Sequence, residues 1–355
     1  MTIAGAFNIQ TFFSVSVFAL IVSARPDGWM GINPLRSAIR DSQQPSPDFH
    51  LSQEIGELLL SPPIRPKRDY EHHIEECVHM ISEEGVFYHK AKTTPDGLAC
   101  GIYIFGASNQ KVEIHFNYLN VPCENGGLIA VVDGWELNGE LFPSPEDHSK
   151  SLKSRFSEFC GQRKIKQTFI SSQNVALIQY RMPARGTSFS FSVRYIKNLN
   201  PCNILLQLDE TYTIRNYDRR SNCSISSLFP AGVKILDINV GITPTRERGT
   251  QFELGTLHKV RSECQKRGLD DYVQIGGSLG LDNGNMKLAD SVCGLNSQPA
   301  RSAEYIGCET TTVRLVSSGA FDNSVTVSFT RLTENDIDMY MSVICIPEDL
   351  PTERK

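Results

Sequence analysis

Ten cysteines, at positions 77, 100, 123, 160, 202, 223, 264, 293, 308 and 345, constrain this 355-residue chain more than any other feature. Their number is even, and none precedes Cys77. Cysteines persist as disulfides only in oxidising compartments. An even set without a spare thiol therefore predicts a secreted protein held by about five bridges. The start of the chain agrees with that reading. Residues 12–22 (FFSVSVFALIV) form a short apolar run, and Val22-Ser23-Ala24 suits signal-peptide cleavage after Ala24. The run is too short to anchor a chain in a bilayer, and no later segment offers the ~20 apolar residues of a membrane helix. The net charge of −5 argues against nucleic acid, which demands a concentrated basic face.

Residues 25–69 are proline-rich and polar, with one helical patch around Leu51, Ile55, Leu58 and Leu59. Such a composition predicts a largely disordered linker or pro-segment. Arg65-Pro66-Lys67-Arg68 has the spacing read by a furin-like convertase, although an ordinary basic linker is the preferred reading.

Beyond residue 70 the dominant period is two. Lys111–Tyr118, Phe189–Tyr195 and Val325–Phe329 alternate polar and apolar residues, which puts one strand face on a core and the other in water. Val175-Ala176-Leu177-Ile178 reads as a strand buried on both faces. Asn125-Gly126-Gly127, Asp133-Gly134, Asn138-Gly139 and Asn283-Gly284 supply turns. Only two helical stretches are expected. One starts at Ser144-Pro145-Glu146-Asp147 and continues through Leu152, Phe156 and Phe159; the other is a turn or two over Ile74, Cys77, Val78 and Ile81. The fold class is thus all-β, built from antiparallel β-sandwiches.

The chain also repeats itself. The spacing from Cys77 to Cys100 resembles that from Cys202 to Cys223, and each pair is followed by a second cysteine block and a closing pair of strands. Two similar sandwiches follow, over residues 70–198 and 199–347, with a tail at 348–355. Sequential pairing, 77–100, 123–160, 202–223, 264–293 and 308–345, is the simplest framework, although spacing alone leaves connectivity open.

Chemistry-bearing motifs are weak. Gly276-Gly277-Ser278-Leu279-Gly280 fits the GxSxG pattern, but Leu281-Asp282-Asn283-Gly284-Asn285 after it is turn chemistry rather than the helix a nucleophile elbow needs. His258 is the only histidine of the second half, so no partner base is at hand. Glu71-His72-His73-Ile74-Glu75-Glu76 lacks zinc spacing and reads as a solvated polar face. Asp270, Asp271 and Asp282 are the acids that suit calcium, yet no clear set forms, and no metal or cofactor is expected. Asn222-Cys223-Ser224 is the only N-glycosylation sequon.

Several long strings carry a resemblance. Cys123-Glu124-Asn125-Gly126-Gly127-Leu128, Val132-Asp133-Gly134-Trp135, Phe142-Pro143-Ser144 and Asp147-His148 are similar to the corticotropin-releasing factor-binding protein family. So are Ser171–Ala176, Pro201-Cys202-Asn203, Asn222-Cys223-Ser224 and Val313–Gly319. The likeness runs from about residue 70 to 345 and includes all ten cysteines. It implies two CUB-like jelly-roll modules, bridges between successive cysteines, a glycan on Asn222, and a secreted, non-enzymatic protein. Its partner would be a corticotropin-releasing-factor-like peptide hormone, kept from its receptor; as an amphipathic helix, the peptide would lay its apolar face in a groove on or between the sandwiches. For an invertebrate member, a diuretic hormone is the implied ligand. The family's peptide contacts include an Arg and an Asp flanking the first cysteine; His73 and His79 stand in those places here. The calcium acids of many CUB domains are unmatched in the first module, and only Asp271 fits in the second. An extracellular adhesion or matrix protein is the alternative reading, since CUB-like modules serve as general interaction surfaces.

Overall fold

The computed structural model describes residues 71–92, 99–241, 257–258, 270–296, 303–333, 336 and 341–346. The expected signal peptide, the linker and the Arg65–Arg68 site lie outside the described residues. Cys264 does too.

The first sandwich contains β1 (Glu71–Ile74), β2 (Val78–Ile81), β3 (Gly85–Lys90), β4 (Cys100–Phe105), β5 (Gln110–Val121), β6 (Leu128–Asp133), β7 (Trp135–Leu137), β8 (Glu140–Phe142), β9 (Phe156–Phe159), β10 (Gly161–Arg163), β11 (Thr168–Ile170), β12 (Val175–Arg181) and β13 (Ser188–Lys197). Sheet I runs β1-β3-β13-β5-β10, with β11 also on β5, and sheet II runs β2-β4-β12-β6-β9. The second sandwich contains β14 (Asn203–Leu206), β15 (Thr211–Arg215), β16 (Ser221–Ser227), β17 (Ala231–Val240), β18 (Leu257–His258), β19 (Tyr272–Ser278), β20 (Lys287–Asn296), β21 (Glu304–Gly307), β22 (Thr310–Ser317), β23 (Ser324–Arg331) and β24 (Val343–Ile344). Sheet III runs β14-β16-β22-β19-β20; sheet IV is built on β17 with β23, β15, β21 and β24. β17 also pairs with the end of β20, which makes the two sheets continuous at that corner.

Alternation explains the cores. In sheet I, Phe189, Phe191 and Val193 point inward while Ser188, Ser190, Ser192 and Arg194 point away. Phe116 packs edge-on against Phe159 at 5.0 Å between ring centres. Residues 175–178 of β12 are all buried because sheet II is covered twice. Ala176 and Ile178 face the first core; Val175 and Leu177 join a second cluster with Val132, Trp135, Leu205 and Leu281. Trp135 caps that cluster, its Nε1 donating to the carbonyls of Ile104 and Ala176, both at 3.1 Å.

The turn chemistry is local. Asn138 and Gly139 both take positive φ, 53° and 84°, which joins β7 to β8 as a two-residue hairpin. Four disulfides have both cysteines among the described residues: Cys77–Cys100, Cys123–Cys160, Cys202–Cys223 and Cys308–Cys345. Cys293 is also disulfide-bonded.

Two expectations fail. The helix expected over 144–159 shrinks to a single turn, α1 (Leu152–Arg155), and Phe156–Phe159 becomes β9, paired with β6. Phe159 thereby reaches the first core beside Phe116 and Phe169, a burial that outweighs local helix spacing. The turn expected over Ile74–Ile81 is two strands instead, and both pair in parallel, β1 with β3 and β2 with β4. The sandwiches are accordingly antiparallel with parallel edges.

Candidate functional site

His73 and His79 lie on different sheets. His73 sits on β1, at the edge of sheet I, and points outward. Its ring lies 5.6 Å from Tyr88, and its Nδ1 is 3.2 Å from a Glu75 carboxylate oxygen. Tyr88 in turn meets Tyr118 at 6.3 Å across the small Ser190. The result is a row of rings on the outer face of sheet I, with Tyr118 exposed. His79 sits on β2, at the edge of sheet II, in register with the core residue Ile102. Its side chain is half-buried; burial lowers its pKa, and Glu76 opposes that. The two histidines therefore mark two flanks of one edge, the segment through which the chain crosses from sheet I to sheet II. The Cys77–Cys100 bridge pins that segment in the middle.

A half-buried imidazole that the sequence did not single out supports the same wall. His89 Nδ1 pairs with the Ile74 carbonyl at 2.9 Å, and its ring contacts Tyr180 at 4.8 Å. Burial lowers its pKa, with the Ile74 bond opposing. Alternation along β3 places it inward, a signal readable only once the register is known.

Sheet III carries a cavity of about 1030 Å³, lined by Glu146, Asn222, Tyr272, Gln274, Asn283 and Arg314 among others. The sheet face beneath it is polar and buried. Asn283, fully buried, bonds Ser226 and Thr312, while Asn203 Oδ1 accepts from the backbone and hydroxyl of Ser224 at 3.0 and 2.9 Å. Arg314 reaches out of this face to Asp147, its Nε 3.0 Å from both carboxylate oxygens and its Nη2 also 3.3 Å from Glu146. Burial raises the Asp147 carboxyl above its ordinary range, with Arg314 opposing. For Arg314 burial pulls downward, and the two acids outweigh it and raise the guanidinium. Asn222 stands at the wall of the cavity, in β16.

The acids considered for calcium have other partners. Asp271 accepts from the Ser318 backbone at 2.8 Å, its hydroxyl at 2.7 Å and the Asn323 amide at 2.6 Å. Asp282 accepts from Gly284 N at 2.8 Å, and Asp270 borders the cavity. No group of three potential metal ligands exists among the described residues. Asp133 repeats the clamp of Asp271 in the first sandwich, holding Ser172 by backbone and hydroxyl at 2.6 and 2.7 Å. Lys150 Nζ adds a contact at 2.6 Å, and His148 Nε2 stands 3.6 Å away. Burial alone would raise Asp133; the His148, Lys150 and Ser172 contacts outweigh it and hold the carboxyl far below its usual range. Ser278 donates to the Gly280 carbonyl at 2.7 Å and leads into a 3-10 turn over Asn283–Asn285, so it has no elbow geometry.

These features define a tandem β-sandwich protein with exposed edges, stapled segments and a polar cavity. The chain belongs to the corticotropin-releasing factor-binding protein family. The model of the corticotropin-releasing factor binding protein N-terminal domain matches residues 70–197, and that of the C-terminal domain matches 204–338. The corticotropin-releasing factor-binding protein of Xenopus laevis is 32% identical over 278 residues, 77% of this chain and 82% of the relative. That of Ovis aries is 32% identical, covering 74% of this chain and 76% of the relative. That of Homo sapiens is 31% identical, covering 74% and 77%.

Proposed function

We propose that this chain is a secreted, non-enzymatic binding protein. It sequesters a corticotropin-releasing-factor-like peptide hormone and limits its access to a receptor. The observation that carries this reading is family membership across both modules, 70–197 and 204–338. The oxidised cysteines support an extracellular setting. Residues 70–198 and 199–347 act as two CUB-like modules. The peptide contacts the wall from His73 to His79, where the exposed ring row and the half-buried imidazole flank the Cys77–Cys100 staple. A rigid, crosslinked wall leaves the ordering cost to the peptide alone.

Asn222 carries the glycan. Ser224 of its sequon is fully buried and bonded to Asn203, so the glycan must be attached before β16 joins its sheet. No calcium is required, because Asp271 already serves Ser318 and Asn323.

Calorimetry of the secreted, oxidised protein tests the reading. Synthetic corticotropin-releasing factor, and a diuretic hormone of the same type, are titrated with and without calcium. Saturable binding that is indifferent to calcium is expected. Absence of binding to either peptide would overturn the proposal.

A further inference from the structure

We infer that the open edge of sheet II, strand β2, takes up an extended segment of the bound peptide through the backbone N–H and C=O of Met80. The inference rests on the peptide-binding reading above and concerns how the same wall engages its ligand.

In a parallel ladder the N–H and C=O of one residue point to the same neighbour, and the direction alternates along the strand. Gly101 N donates to the Cys77 carbonyl at 2.8 Å, so Cys77, His79 and Ile81 are turned towards β4. Val78 and Met80 are turned the other way. Among the described residues no strand lies beyond β2 in its sheet. Met80 is itself 39% exposed and sits in register with Tyr103.

The second sandwich repeats this edge with its outward groups filled. Ser224 N donates to the Cys202 carbonyl at 2.9 Å, and β14 runs parallel to β16 in the same offset from its cysteines. Leu205, three residues after Cys202 as Met80 is after Cys77, therefore faces outward. Its N–H donates to Asn174 Oδ1 at 3.1 Å, and its carbonyl accepts from Asn174 Nδ2 at 2.9 Å. A carboxamide from the first sandwich thus imitates one peptide group of an added strand. One chain displays the same edge twice, once occupied by an amide and once with no partner strand among the described residues.

The β2 strand itself also lacks protection. Edge strands are commonly blunted by Lys, Pro or bulges. Val78-His79-Met80-Ile81 has none of these among its residues, and its pairing to β4 is regular. The occupant that fits is an extended peptide segment, whose N–H and C=O reproduce the Asn174 pair and whose apolar side chains meet Met80 and Tyr103. The amphipathic helix expected from the sequence is then a different part of the ligand from the part held by β2.

Amide exchange on the full, oxidised protein tests this, with synthetic corticotropin-releasing factor as the probe. The Met80 amide should exchange fast in the free protein and slow at least about tenfold at saturation, whereas Leu205 is protected in both states. Met80→Pro deletes a donor that the β4 ladder does not use. It should weaken peptide binding about fivefold, the worth of one hydrogen bond, beyond the smaller loss from Met80→Ala, which keeps the N–H and removes only the side-chain contact. Peptide binding without Met80 protection, or a folded Met80→Pro protein of wild-type affinity, overturns the inference and leaves the function standing. Failure of the peptide to bind at all removes both. Should Met80→Pro misfold, the exchange measurement on the unaltered chain decides.

Discussion

Asp133 shows how a single side chain can set the acid limit of this fold. Its folded pKa lies below the unfolded value of about 3.9, chiefly because His148, Lys150 and Ser172 overcome the cost of burial. A depressed carboxyl contributes stability that is present above the unfolded pKa and is lost as pH falls through the folded one. Asp133→Asn should therefore cost about 1–3 kcal/mol at neutral pH. That deficit should shrink steadily below about pH 4. Thermal melts of both proteins between pH 2 and 7 measure the convergence; parallel curves would refute the assignment. The sequon offers a second test at this scale. Because Ser224 is buried and bonded in the folded chain, oligosaccharyltransferase should modify Asn222 in a nascent or reduced chain but not in folded, unglycosylated protein. Mass spectrometry of the two reactions decides it.

At the scale of elements, alternation was the most legible signal and located β5, β13 and β23, which bury one face, while a continuous apolar run located β12, which buries both. What the sequence hid was pairing. Phe156 and Phe159 stand at helical spacing, yet only the partner strand β6 reveals that they belong to a strand. His73 and His79 flank Cys77 in a stretch expected to form a helical turn, and the parallel pairings put them on two sheets. Arg155 was invisible as well. It is 2% exposed and donates to the carbonyls of Asp133, Phe142 and Pro143, with burial lowering its pKa to about 10 against Asp133. The glycine run was visible but misleading in chemistry. Gly277 is needed because a Cβ there would stand 2.6 Å from the Thr310 carbonyl and from an Ile306 methyl. Gly277→Ala should destabilise the second sandwich by about 1–3 kcal/mol, read as a lower denaturant midpoint with unchanged slope. Removing the Cys77–Cys100 bridge by paired serine substitution should cost about 3 kcal/mol in the chain-entropy view. It should also weaken peptide binding, because β2 loses its anchor. Full affinity in that variant would detach the wall from the function.

Across the whole molecule, the two sandwiches are locked by unlike devices that act together. Leu205 and Leu281 enter the apolar cluster around Trp135 and Leu177. Asn174 spans the Gly106 carbonyl and both backbone groups of Leu205. Arg314 projects from sheet III into Asp147, whose side chain has no exposed surface. A buried ion pair is weak evidence for stability, since desolvation consumes much of its attraction, but removing one partner strands the other charge. Arg314→Met and Asp147→Leu should each lose about 3–5 kcal/mol, while the double variant should recover most of that loss. The loss should fall on the coupling between modules. The wild-type chain should melt in one cooperative transition, and each single variant should split it in two, with the first-sandwich transition remaining nearer its original temperature. Peptide affinity then locates the binding wall. If β2 and the ring row on sheet I suffice, the single variants bind as wild type below the lower transition. A parallel loss of affinity would mean that the ligand also reaches the second sandwich.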